Sequence, residues 1–213
     1  VTLAMYVSAC IEAFEKRSIE TALRESELFL NSVIQGFPIP IFVIDSQHKL
    51  QYWNRALEEI SGISAEEVLR TNQQWRAFYD RERPCLADLL VDGAESSIQE
   101  WYQDKCRKSD LIPGAYEGVD FISRLVGEGR WLRFTAAMIK NAAGELIGAI
   151  ETLEDITPQK EAELSLRESE QKYRTLVENI DIGVFRTSAD RMGNFMHLSR
   201  AMAKIFGYES IEQ

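Results

Sequence analysis

The sequence predicts an α+β fold: a five-stranded antiparallel sheet with short helices over one face, flanked by long amphipathic helices. Three observations predict it. The hydrophobic periodicities run two short strands, a cluster of short helices, then three strands. Hairpin chemistry at Gly127 to Gly129 and at Asn141 to Gly144 joins the last three strands. Charged helical tracts, each with one narrow apolar stripe, bracket the complete set.

Residues 1–35 read as a connector helix. Lys16, Ile19, Leu23, Ser26, Leu30, Val33 and Phe37 fall at alternating steps of three and four. That is the seam of a coiled coil; the bland alternative is a helix packed on its own domain. Upstream, Leu3, Val7, Cys10 and Phe14 form a stripe out of phase with it, as the last helix of a preceding domain would. Residues 39–45 then read as a strand, Asp45 to Lys49 as a tight turn and residues 50–53 as the partner strand. Asn54 is an N-cap for residues 55–61, which Gly62 ends, and Ser64 caps a further short helix. Residues 94–108 read as one helix.

Residues 116–123, 130–140 and 145–153 are the last three expected strands. Leu132, Phe134, Ala136 and Met138 share a face of one, and Leu146, Gly148, Ile150 and Thr152 a face of the next. The expected inner face is apolar and lines a small space under the helices. Asp120 shares a face with Tyr116 and Ile122, so it needs a partner if it points inward. Arg133 is expected to pair outward.

The chain also repeats itself. Ala22 to Glu27 returns as Ser165 to Glu170, Ile41-Phe42 as Val184-Phe185, Trp53 to Leu57 as Leu198 to Met202, and Gly62 as Gly207. The expected organisation is therefore a connector over 1–35, a complete domain over 36–157, a linker helix over 158–179 and the start of a second copy over 180–213. In the linker, Gln159, Ala162, Leu166, Ser169, Tyr173, Leu176 and Ile180 repeat the heptad steps in the same phase.

Bulk properties narrow the partners. A net charge of −10 disfavours nucleic acid and anionic lipid alike. No apolar run approaches the ~20 residues of a membrane span. The chain begins at Val1 without a signal-peptide pattern, as a segment of a larger cytoplasmic protein would. Cys10, Cys85 and Cys106 lack metal or disulfide spacing and read as reduced thiols.

In this order the elements resemble the PAS family. The residues that carry the resemblance are Phe42 to Asp45, Tyr52 to Ala56, Gly62 to Glu67, Gly144 to Gly148 and the closing Asp155-Ile156-Thr157 followed by Lys160. The resemblance implies a sensory module of a signalling protein, a sensor histidine kinase first and a diguanylate cyclase or phosphodiesterase as the alternative. It implies neighbouring signalling domains, a homodimer through the connector helices, and a relay at Asp155, Ile156 and Thr157 into the outgoing helix. Thr157 suits an N-cap and Pro158 a first helical turn.

Haem-binding PAS domains use a His on the long helix, and residues 94–108 contain none; the two histidines are His48 and His197. Covalent flavin chemistry needs a reactive Cys that Leu69 to Trp75 does not supply. A non-covalent flavin or small organic ligand remains open. Its expected walls are Trp75, Phe78, Tyr79 and Trp101, with Arg83 facing a carboxylate or phosphate. Phe42, Ile44, Tyr116, Ile122, Leu132, Phe134, Met138 and Ile150 complete them. The alternative makes these aromatics core and pairs Arg83 with Asp80 or Glu82. No catalytic grouping, phosphate loop or metal-spaced cluster is legible, so no enzyme is expected in this segment. A dimerisation spacer without ligand is the rival to a sensor.

Overall fold

The computed structural model describes residues 2–179, 182–189 and 194–208. They fall into two compact units, residues 1–157 and 158–213. In the first, one continuous helix, α1 (Thr2–Gly36), joins the two stripes that the sequence separates. The side chains of Leu3, Val7 and Cys10 lie outside the described residues. From Ile19 to Phe37 the heptad side chains Ile19, Leu23, Leu30, Val33 and Phe37 are 43–68% exposed. The stripe is thus not consumed by its own domain.

Six strands, not five, form the sheet: β1 (Ile41–Asp45), β2 (Leu50–Trp53), β3 (Cys106–Lys108), β4 (Tyr116–Ile122), β5 (Arg130–Lys140) and β6 (Leu146–Asp155). Their order is β2-β1-β6-β5-β4-β3, antiparallel throughout. The sixth, β3, comes out of the tract expected to be one helix. That tract holds only α5 (Ile98–Tyr102) between two 3₁₀ turns. Gln103 breaks it with φ 53°, a left-handed conformation no helix continues through. Beyond it Cys106 pairs with Gly118. A Cβ at 118 would meet Cys106 Sγ at 2.5 Å and Phe134 at 2.6 Å, so the absent side chain lets this edge close.

Register corrects a second expectation. Ile44 pairs with Ala149, Phe42 with Glu151, and Phe134 with Leu153. Directly opposed residues share a face, so Ala149, Glu151 and Leu153 point under the helices. Ile150, expected on that inner face, lies with Val43 and Ala137 on the other one. Period-two counting from Leu146 picks the wrong parity because Glu151, a buried carboxyl, looks like a solvent residue.

The inner face is covered by α2 (Arg55–Ser61), α3 (Ala65–Val68), a 3₁₀ turn (Gln74–Ala77), α4 (Leu86–Val91) and α5, with α4 on β5, β6 and β1. Phe42, Ile44 and Leu132 reach 0% exposure and Phe134 4%, packed with Phe78, Leu86, Leu90 and Tyr102. Phe42 meets Trp53 and Phe78 at ring-centroid distances of 6.2 and 6.1 Å. The residues expected to line a space beneath the helices pack in one cluster there.

Asn54 ties the entry together. Fully buried, it accepts from Ile41 N at 2.9 Å and Leu57 N at 3.1 Å through one oxygen. Its amide donates to the carbonyls of Ile34, Phe37 and Ile39 at 3.3, 3.2 and 2.8 Å. One side chain thus caps α2 and fixes the end of α1 against the first strand.

The second unit holds α6 (Thr157–Asn179), a hairpin of β7 (Phe185–Thr187) and β8 (Phe195–Leu198), and α7 (Arg200–Ile205). Here Ser199 occupies the place of Asn54. Its hydroxyl accepts from Met202 N at 3.3 Å and Val184 N at 2.9 Å, a smaller version of the same joint.

Replacing Asn54 with Ala leaves two N–H groups and up to three carbonyls without that partner. Urea unfolding should show a loss of about 2–4 kcal/mol with little change in m. An unchanged midpoint would show that water supplies these bonds equally well.

Candidate functional site

Two places concentrate polar chemistry in the first unit: the end of β6 and a groove beside α4. At the first, the chain leaves the sheet through Asp155, Ile156 and Thr157. Asp155 Oδ1 accepts the Thr157 N–H at 2.9 Å, and its other oxygen pairs with Arg130. Thr157 Oγ1 accepts from Trp131 N at 2.9 Å, while Ile156 N donates to Trp131 O at 2.9 Å. The Thr157 hydroxyl is therefore spent on β5, and the capping expected of it falls to Asp155. Partial burial works to raise the Asp155 carboxyl, but the Thr157 bonds and Arg130 outweigh it and hold the group below its usual value.

The groove has a volume of about 360 Å³ and is lined by His48, Gln74, Trp75, Arg83, Asp88 and Trp101 among others. His48 projects from the β1–β2 turn with φ 61°. Asp45 fixes that turn by accepting from Gln47 N at 2.8 Å and Lys49 N at 3.0 Å. The His48 ring bridges Asp88 of α4 and Asp92 just past its end, Nδ1 to Asp88 at 2.8 Å and Nε2 to Asp92 at 3.0 Å. With both carboxylates ionised, the two ring nitrogens that face them both donate, which only the imidazolium does. Burial opposes its charge, yet the Asp88 and Asp92 carboxylates raise His48 above its ordinary value.

Asp88 also accepts from Gln74 Nε2 at 2.7 Å and from Cys85 N at 2.8 Å. Burial raises the Asp88 carboxyl, against the pull of those three donors. Behind it, Glu151 on β6 accepts from Ala87 N at 2.8 Å. Full burial, reinforced by the Asp88 charge, pushes the Glu151 carboxyl up to about 8. Central strand and α4 are thus joined through a carboxyl that burial holds well above the usual carboxylate range.

Arg83 takes neither of its expected partners. Its guanidinium lies 4.1 Å from the Tyr79 ring centroid and 5.1 Å from those of Trp101 and Tyr102. Asp80 pairs instead with Arg124 at 2.8 Å. Of the expected pocket residues, Trp75, Arg83 and Trp101 meet at the groove, and Tyr79 supports Arg83 from behind. Phe42, Ile44, Tyr116, Ile122, Leu132 and Phe134 lie in the core, and Met138 packs against it. Tyr116 donates its hydroxyl to Glu95 at 2.6 Å. Asp120 finds Lys105 at 2.7 Å, and Arg133 pairs outward with Glu154 at 2.8 Å. Sequence reasoning missed Gln74, Asp88, Asp92 and Glu151; the available cue was a histidine set in a turn rather than a helix. Among the described residues no group of three or more His, Cys, Asp or Glu is placed to hold a metal.

The PAS fold profile matches residues 28–156, more than half of the chain. The chain belongs to the PAS family. A second PAS domain profile matches residues 171–213 in part, in line with the internal repeat. PAS domains are sensory modules of signal transduction. The two-component sensor PprA of Pseudomonas aeruginosa is 24% identical over 186 residues, 84% of this chain and 18% of that protein. The chain therefore spans less than a fifth of that relative's length. The PAS domain of Bordetella pertussis BvgS is similar at 20% identity, covering 68% of this chain and 98% of that one with a TM-score of 0.43. An RNA-binding light-oxygen-voltage receptor is similar at 22% identity, covering 67% and 36% with a TM-score of 0.46. No helix among the described residues is long and apolar enough to cross a membrane.

The raised Glu151 and His48 groups of this PAS domain make stability fall with rising pH. For Glu151 the folded chain keeps a proton that the unfolded one has released, so its contribution is full below 4.5 and lost by about 8. For His48 the contribution is full below 6.5 and lost as pH rises through its raised folded value. Thermal melts at pH 8 should place Glu151→Gln about 4 °C or more above the parent, with little difference at pH 5. His48→Gln should flatten the slope above pH 6.5; a parent whose stability is level from pH 5 to 8 contradicts both assignments.

Proposed function

We propose that this chain is the sensing and relay segment of a two-component signalling protein of the sensor histidine kinase kind, acting in the cytoplasm as a homodimer. The observation that carries the reading is the joint at Asp155, Ile156 and Thr157. The central strand passes directly into α6, and bonds to β5 lock the exit. A change in the sheet has a short mechanical route to the helix. The similarity to a two-component sensor supports the class of protein.

The exposed heptad residues supply the dimer. Leu166, Tyr173 and Leu176 of α6 are 58–68% exposed, and their counterparts on α1, Leu23, Leu30 and Val33, 43–58%. Such a stripe in water is an incomplete coiled coil that a second copy completes. The relay is then a change in rotation or register of paired helices, biased by whatever the domain binds. A second reading, a dimerisation spacer without input, draws support from the packed inner face. Native mass spectrometry of protein from its own host separates the two: a reproducible bound mass excludes the empty spacer.

Two outcomes are expected. Sedimentation equilibrium should find a dimer in the parent and a monomer in Leu23→Glu/Leu30→Glu, with equal circular dichroism. In the protein joined to its output domain, deletions are made between Gln159 and Leu166, each starting at Gln159. Removing seven should preserve output, and removing two or three should invert or abolish it. Output indifferent to phase rules out the relay.

A further inference from the structure

We infer that α4 is a proton-controlled latch: protons on His48 and Glu151 seat the helix on the sheet, and their loss with rising pH is the signal the domain takes in. This rests on the sensory reading above and names its input. α4 has six residues, too few to persist as a helix by itself, so its place is set by what grips it. Leu86, Leu89 and Leu90 are its buried apolar grip. The polar grips come from two other elements. Glu151 of β6 accepts the Ala87 N–H at 2.8 Å, and His48 of the β1–β2 turn holds Asp88 at 2.8 Å and Asp92 at 3.0 Å.

Both polar grips weaken in the same direction. A neutral imidazole donates from one nitrogen only, so His48 without its extra proton keeps one carboxylate and lets go of the other. Glu151 without its proton places a negative charge in the core, near the Asp88 carboxylate of the helix it holds. Burial, with Asp88 beside it, outweighs the Ala87 and Leu86 N–H groups that favour that charge. The sheet has no such dependence. β6 is bound to β1 and β5 by backbone ladders, which do not titrate in this range. Rising pH therefore acts on the cover of the sheet and spares its ladders. The buried leucines oppose release, so proton loss makes opening more frequent and does not expel the helix.

The neighbouring groups leave the two titrations clear. His48 faces Asp88 and Asp92, with Asp45 on its own turn and Glu82 and Arg83, one of each sign, among the walls of the same groove. Glu151 feels Asp88, the Cys85 and Cys106 thiols and the Tyr79 and Tyr102 hydroxyls. Burial pushes those thiols and hydroxyls up, so they stay neutral where His48 and Glu151 titrate. Asp88, itself raised by burial, acts with the same sign at lower pH. The grip therefore weakens as pH rises: the Glu151 share is gone by about 8, and the His48 share goes as pH passes a value above 6.5. The latch also reaches the relay, because Glu151 lies four residues before Asp155 on the same strand.

Hydrogen exchange of the whole chain at pH 5.5 and 8, corrected for the chemical rate and repeated in low urea, tests this. The amides of residues 86–92 should open at least about ten-fold more often at pH 8, through an opening less dependent on urea than that of β5. In His48→Gln/Glu151→Gln the difference should shrink below about three-fold. If that variant does not fold, nuclear magnetic resonance of the parent carries the test: the α4 amide shifts should follow the His48 ring titration, with a midpoint above 6.5. Equal opening at both pH values, α4 amides that exchange only together with β5, a folded double variant that keeps the full difference, or α4 shifts that ignore His48 would each overturn the latch. So would output that obeys connector phase but ignores pH, in the protein joined to its output domain. A latch that opens beside output indifferent to phase supports the latch and overturns the relay instead.

Discussion

Strand β6 is the constraint on which the other features hang. It pairs with β1 on one side and β5 on the other, so it cannot shift without breaking both ladders. Gly148 lets β1 come close: a Cβ there would sit 2.1 Å from Ile44 O. From this fixed strand Glu151 reaches up to the start of α4 and Asp155 holds the first N–H of α6. The two polar contacts lie on opposite sides of Leu153, within one stretch of backbone.

Polar groups inside this PAS domain act as joints, whereas apolar groups fill space. Asn54, Glu151 and Asp88 are all buried, and each bonds the backbone of another segment or of its own helix start. Burial makes every such bond costly to lose, which gives the elements fixed positions that hydrophobic packing alone specifies less sharply. The same principle makes Gln74 Oε1 and Arg83 Nε conspicuous. Among the buried side-chain nitrogen and oxygen atoms of the described residues, Arg130 Nε is the third without a partner.

The connectors follow another logic. Their apolar stripes are exposed while the domain's core is closed, so the driving force for association lies outside the globular part. Each repeat begins with such a helix and then a polar residue, Asn54 or Ser199, at the start of the short helix after the first hairpin. Asn54 offers both a donor and an acceptor, and Ser199 a single hydroxyl, which accounts for its fewer ties.

Local chemistry made much of this legible in the sequence. The strands flanking Asp45 to Lys49, the cap at Asn54 with its stop at Gly62, the two glycine-bearing hairpins and the exit at Asp155 to Thr157 are each written within a few neighbouring residues. The internal repeat and heptad phase needed only counting. Tertiary structure decided the rest. A period of two has two phases, and pairing with β1, not the strand itself, turned Glu151 inward and Ile150 outward. The edge strand β3 exists because Gly118 stands opposite it. His48 meets Asp88 across forty residues and Gln74 meets the same carboxylate across fourteen, contacts that leave no local periodicity to read.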